Sequence, residues 1–381
     1  MSVDSFDRLE ELARTGGAGP ALEWLAGKFS DEKNYPALFE TRLLQKRHQL
    51  ELPLIPAEAA AELPAETRRA YDESFIAAAR EVGALFLADG DIQRAWPYWR
   101  AIGESGPVAA AIERLEPGEG IEPIIEIAFQ EGASPRKGFA LILAHQGICR
   151  AISCFEQYPG RNGRPESLTL LVRSLHQELA GSLRRVIGRR EGGEPAAGSV
   201  RALIEGRDWL FEDNAYYIDT SHLVAVLRYS LESLERETLE LAVELAEYGA
   251  RLSPMFEYRT EPPFERVYED HRVYLRALLG QDLEAAVAHF RAKAEAADAS
   301  GAGSGPAQVL VLLLARLGRH VEAIEASQKF LRGLDPSQLA CPSVQQLCRQ
   351  AGDYRRAMEL AREQADLLHF AAAAIDARGR Y

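Results

Sequence analysis

Four histidines fall in or beside one stretch of the chain: His145, His176, His222 and His271. Each lies inside a segment that reads as helix, or at its first turn. Imidazole is a frequent metal ligand, and facing helices can build a site from one inward residue each. Carboxylates able to complete a coordination sphere lie nearby in sequence, at Glu178, Asp213, Asp219, Glu257, Glu269 and Asp270. The chemistry this permits is that of a divalent metal cofactor in a helical core. The spacing does not single it out, because there is no His-Glu-x-x-His, no Glu-x-x-His and no pair of histidines at i, i+4. The competing expectation is four separate core histidines, each satisfied by a backbone carbonyl. His145, which follows the apolar run 140–144, is its clearest case.

A second concentration of chemistry spans 207–222. Trp209, Phe211, Tyr216 and Tyr217 stand among Asp208, Asp213, Asn214 and Asp219, with His222 at the end. Such a mixture suits a pocket wall, where aromatics exclude water and acids with a histidine serve as acid/base or ligand groups. The segment 253–264 repeats the mixture with Phe256, Glu257, Tyr258 and Arg259, and could face the first across a concave surface. The ligand-pocket candidates are therefore Trp209, Tyr216, Tyr217, Asp219, Glu257 and Tyr258. The plainer alternative is an aromatic loop that packs over the helices and caps the next one.

Other chemistries find little support. Two cations and two glycines at 132–138 precede a helix start and could hold an anion on free N–H groups, but without the glycine spacing of a phosphate loop. Serine nucleophile elbows, kinase signatures and dinucleotide fingerprints are absent. The four cysteines, Cys149, Cys154, Cys341 and Cys348, include no pair with the two-residue gap of a zinc knuckle or redox motif. Reduced, buried thiols in a cytoplasmic protein are expected, with Cys149 and Cys154 sharing one buried helix.

The formal net charge of -13 opposes general binding to phosphate backbones. The cluster Arg184, Arg185, Arg189 and Arg190 is soon followed by acids and reads as a solvated helix end. No run approaches the ~18 apolar residues of a membrane span; the longest candidate, 309–317, is half that length. A protein with neither nucleic-acid nor membrane partners is expected.

The elements that must position these residues are helices. Apolar residues recur at helical periods nearly throughout, and β-type alternation is scarce. From 66 to 102 the pattern is most regular: Ala79, Gly83, Phe86, Gly90, Ala95, Trp99 and Ile102 fall at offsets of 4, 3, 4, 5, 4 and 3. Small residues at Gly83 and Ala95 would let two helices approach closely, Phe86 and Trp99 would fill the space beside them, and Asp89-Gly90-Asp91 would make the turn. Pro107 would close the unit. This segment resembles a tetratricopeptide repeat. The pattern returns in Gly280-Gln-Asp-Leu-Glu-Ala285, Gly318-Arg-His-Val-Glu-Ala323 and Gly352-Asp-Tyr-Arg-Arg-Ala357, whose glycines are 38 and 34 residues apart. The bulky residue expected four after each alanine is missing in two of the three, and Phe290 supplies it in the first only with one residue inserted.

The sequence thus predicts an all-α chain: an α-solenoid, or right-handed superhelix, of antiparallel helical hairpins. It divides into an N-terminal helical region with one repeat-like unit (1–107), a nonrepeating helical middle section (108–264), and degenerate repeats at the C-terminus (265–381). In the middle section, helices are expected over 138–158, buried on all sides, over 168–187, and from 199 to about 211. The resemblance implies a scaffold that binds a protein or peptide partner in a concave groove, and it brings no catalytic residues. The alternative is a metal-dependent enzyme or small-molecule binder seated in the middle section.

Overall fold

The computed structural model describes the chain except residues 1–2, 56–63, 117, 119, 194, 196–197, 259 and 380–381. Its described residues form helices and no strands, and they group into two compact units, 1–164 and 165–381. The division falls inside the segment 108–264.

The first unit holds α1 (Val3–Gly16), α2 (Ala18–Asp31), α3 (Tyr35–Gln49), α4 (Ala65–Ala88), α5 (Ile92–Ala101), α6 (Gly106–Glu113), α7 (Glu122–Ile125), a π-helical turn Glu126–Gln130, and α8 (Pro135–Glu156). From α1 to α6 each helix packs on the next. The hairpin expected between 66 and 102 is α4 with α5, and Asp91 caps α5 by accepting from Arg94 N–H at 2.9 Å. Pro107 begins a helix here, sitting in the first turn of α6.

Helix α8 departs from expectation. It is long and apolar enough by composition to cross a membrane, which the sequence reading overlooked. At Gly147 (φ 80°, ψ 177°) it breaks into two pieces, 135–146 and 148–156, each shorter than the ~20 residues of a span. The break turns residues 144–147 and Cys149 to solvent. The helix is therefore not buried on all sides; Cys154 is buried, but Cys149 is exposed.

The second unit runs through α9 (Arg164–Glu191, whose first residue closes the first unit), α10 (Val200–Ile204), α11 (Thr220–Ser230), α12 (Arg236–Gly249), α13 (Val267–Leu278), α14 (Leu283–Ser300), α15 (Gly305–Arg316), α16 (His320–Phe330), α17 (Val344–Ala351), α18 (Tyr354–Glu363) and α19 (Leu367–Asp376). The helix expected from 199 to 211 stops at Ile204. Glu205 is extended, Gly206 has φ 69°, and a 3-10 turn, Asp208–Asn214, follows. Helices α9 and α12 are joined by side chains: Thr169 and Thr238 hydroxyls at 2.8 Å, Arg173 to Glu237 at 2.9 Å, and His176 to Glu244 at 2.8 Å.

One junction recurs in both units. At Gly90, Gly280, Gly318 and Gly352 the chain leaves a helix with φ between 70° and 82°. In each case the residue after the glycine donates its N–H to the carbonyl five residues back: Asp91 to Phe86, Gln281 to Arg276, Arg319 to Leu314 and Asp353 to Cys348, all at 2.8–2.9 Å. This left-handed helix stop satisfies the last carbonyls and is open to glycine without steric penalty. It also reverses the chain within a few residues, so the next helix must fold back on the one before. Beyond three of the junctions a small residue packs inward: Ala95, Ala323 and Ala357 are buried. At the fourth, Ala285 is exposed and Ala286 takes the inward place, because Asp282 adopts a left-handed conformation (φ 51°) and lengthens the turn by one residue. That insertion also brings Phe290 into register, fully buried. The C-terminal core gathers Phe290, Leu310, Leu313, Leu314 and Leu347, each at 0% exposure. Each such buried side chain contributes about 1.5–3 kcal/mol.

Candidate functional site

The two aromatic segments lie against one another in the second unit. The rings of Tyr216 and Phe256 are 5.0 Å apart, edge to face, and the Thr220 and Tyr258 hydroxyls share a hydrogen bond of 3.0 Å. They pack directly, with no concave gap between these pairs. Asp219 accepts from the Ser221 N–H (2.8 Å) and hydroxyl (2.6 Å), which caps α11 and holds its carboxyl below the usual range. Tyr217 N–H donates to the buried Tyr248 hydroxyl at 2.9 Å. Trp209 lies beneath the Arg190 guanidinium (4.3 Å), and Phe211 beneath Arg251 (4.4 Å). Glu257 is exposed and borders a separate small recess of ≈ 160 Å³ with Arg266, Tyr268 and Glu269. Of the six pocket candidates, the structure joins Tyr216 and Tyr258 to the loop contact and spends Asp219 on helix capping.

Three of the four histidines engage partners, each a different one. His145, in the exposed part of α8, pairs with Glu122 at 3.0 Å, so it is not the core histidine its apolar neighbours suggest. His176 meets Glu244, which also accepts from Val200 N–H at 2.7 Å. Burial works against a charged Glu244, but these contacts outweigh it and its carboxyl titrates below the usual range. His222 is half-buried in the first turn of α11. His271 is buried, with Nδ1 donating to the Val267 carbonyl at 2.7 Å, Nε2 unpartnered, and the Phe264 ring 4.4 Å away. Among the described residues, no three His, Cys, Asp or Glu side chains are gathered to hold one ion.

The 132–138 segment carries its own anion. Ser134 and Arg136, at the start of α8, donate to the Glu113 carboxylate at 2.9 and 2.6 Å. The remaining thiols, Cys341 and Cys348, are buried, which pushes each up to about 11; neither is a thiolate near neutrality.

The sequence offers Asp270 only as a carboxylate near the histidines; the structure makes it the centre of a buried polar cluster. Asp270, at 0% exposure, accepts from His289 Nε2 (2.8 Å), Lys293 Nζ (3.0 Å) and the Arg266 N–H (2.8 Å). It ties α13 to α14, and Lys293 also reaches Glu265. A charged side chain loses its hydration on burial and persists only when fully paired. The signal available was the spacing of His289 and Lys293, i and i+4 on one helix, opposite an acid on the preceding helix.

A groove of ≈ 390 Å³ opens among α16, α17 and α18. Leu331, Leu334, Leu339 and Leu360 give it apolar walls, and Gln328, Gln345 and Gln364 supply amides. Arg332 and Glu363 also line it, and both are exposed. Ser327 explains part of the opening. It stands four residues after Ala323, the register that Trp99 and Phe290 fill elsewhere with large rings, and it borders the groove. The amides of Gln345 and Gln364 lie at 3.5 Å from one another, a weak contact that can be exchanged for a ligand.

The fold and this groove define an all-helical hairpin protein with a surface cleft of mixed polarity. No known family model, characterised protein or solved structure matches the chain.

Proposed function

We propose that this protein is a scaffold of tetratricopeptide-like helical hairpins and that it holds a protein or peptide segment in the groove of α16, α17 and α18. The pairing of one helix-stop geometry with a buried alanine five or six residues later, at Gly90, Gly280, Gly318 and Gly352, supports the reading. Hairpins joined by one repeated turn stack into an α-solenoid, a right-handed superhelix whose concave side is an extended binding surface. The groove adds the chemistry such a surface needs. Its leucines accept an apolar side chain, and its glutamines can both donate to and accept from the backbone of an extended peptide.

Selection of a random-peptide phage library on the full chain tests this. Enriched peptides should bind the wild-type protein and lose most of their affinity in Gln345→Ala with Gln364→Ala, both surface changes that leave the core intact. Failure to enrich any peptide, or enrichment indifferent to those changes, would sink the proposal.

A further inference from the structure

We propose that the C-terminal half of α9 docks an acidic segment of a partner protein, at a site separate from the groove and independent of it. Arg184, Arg185, Arg189 and Arg190 fall within seven residues of a chain whose net charge is -13. Arg185, Arg189 and Arg190 are exposed, and none of the four forms an ion pair among the described residues. Some arginines of this unit do find carboxylates: Arg173 binds Glu237, Arg201 binds Glu247, and Arg251 binds Asp208. Arginines without an ion pair occur elsewhere in this unit, but α9 gathers four guanidiniums within seven residues on an acidic protein.

The first acid that follows it does not neutralise it. Glu191 closes the helix, but Arg207 holds both its oxygens, at 2.7 and 3.0 Å. Arg189 and Arg190 occupy the last turn, where cations favourably oppose the helix dipole. That effect fades within one turn, so it gives no account of Arg184 and Arg185. The side chains are also partly ordered in advance. Arg190 rests on the Trp209 ring at 4.3 Å, and Arg185 donates to the Ser182 hydroxyl at 3.0 Å. Ordering before binding lowers the entropy lost when a ligand arrives.

Geometry and charge select the partner. Arg185 and Arg189, one turn apart, share a face whose side chains stand about 5–6 Å from each other. Alternate residues of an extended strand lie about 6.6 Å apart, so two carboxylates at i, i+2 can each meet one guanidinium in bidentate fashion. A nucleic acid would carry its charge well past this patch into the field of the acidic protein. A short acidic peptide segment need cover only the patch.

Fluorescence anisotropy of the full chain with a labelled peptide of alternating Glu and Ser reads this out. The peptide should bind at low salt, weaken as salt rises, and bind far less when every Glu is Gln. Arg185→Glu with Arg189→Glu should weaken it by about tenfold or more. Arg185→Gln with Arg189→Gln, which spares the helix end from new acids, should move affinity in the same direction with the circular dichroism spectrum unchanged. The proposal is overturned if wild-type protein does not bind the peptide, if the Gln peptide binds equally, or if neither double variant weakens binding. It is also overturned if an oligothymidylate of equal length binds more tightly than the peptide.

Discussion

Trp99 lies so close over Gly83 that a Cβ at position 83 would stand 2.5 Å from the indole Nε1 and 2.9 Å from Cδ1. The two residues belong to α4 and α5, and Trp99 is 6% exposed while its N–H has no partner. An unsatisfied buried donor costs stability, so the ring is held there by packing. The distance between the helices is set by the absence of one carbon.

That contact separates two glycines of similar helical context. Gly83→Ala should destabilise the protein by about 1–3 kcal/mol through overpacking, although alanine is the better helix former. Gly27, inside α2, has nothing within 4 Å of its added Cβ. Gly27→Ala should stabilise by about 0.5–1 kcal/mol, the ordinary propensity difference. Urea unfolding of the two variants should show opposite shifts in midpoint; shifts of the same sign would refute the role given to Trp99.

The helix-stop geometry makes a second prediction. Between α18 and α19 the same turn is made by Ala365 at φ 54°, with Asp366 N–H donating to the Ala361 carbonyl at 2.8 Å. A residue with a Cβ is held there in the left-handed region at a cost of about 1 kcal/mol. Ala365→Gly should recover part of that and raise stability by about 0.5–1 kcal/mol, measured as an increase in Tm. A fall in Tm would mean that the turn is maintained by something other than backbone conformation.

The repeat-like hairpins were legible because their determinants are local. Glycine at the turn and a small residue five positions later are set by chain reversal and close helix approach, and both are visible in spacing. The Gly280 turn shows the limit: composition alone places Ala285 inward, and only the left-handed Asp282 reveals that Ala286 is the packed residue. Breaks were less legible than runs. Apolar content argued for one buried helix over 138–158, yet Gly147 splits it and exposes His145. The partners of polar residues were least legible, since Asp270 with Lys293, or His176 with Glu244, depend on how separate helices meet.

The Asp270 cluster should act as a clamp between α13 and α14. Asp270→Ala leaves Lys293, 18% exposed at its side chain, without its buried counter-charge. Removing one member of a buried pair costs about 3–5 kcal/mol when both groups are enclosed. Partial exposure of Lys293 and His289 brings the expected loss to about 2–3 kcal/mol. His289→Ala removes only one of three donors and should cost about 1 kcal/mol. Denaturant unfolding that found the two variants equal would mean that Asp270 is not the hub.

His271 provides a pH signature that can be isolated from the carboxylates. Burial lowers its pKa from the ordinary 6.5 to about 4, and the nearby Arg228 cation adds to that, against the opposing pull of the Val267 carbonyl and Asp270. In the folded protein the ring therefore stays neutral at a pH where the unfolded chain has already bound a proton. Since the unfolded state binds more protons in this window, stability falls as pH drops from 6.5 towards 4, by up to about 1.4 kcal/mol per pH unit. Below about 4 the folded state takes up its own proton and the slope from this group ends. Between pH 7 and pH 5 the accumulated loss should be about 2 kcal/mol. His271→Phe keeps an aromatic ring beside Phe264 but cannot titrate, so its stability should be flatter across that interval by the same amount. Equal pH slopes for wild type and variant would show that the histidine is reached by water, or finds a counter-charge, in the folded protein.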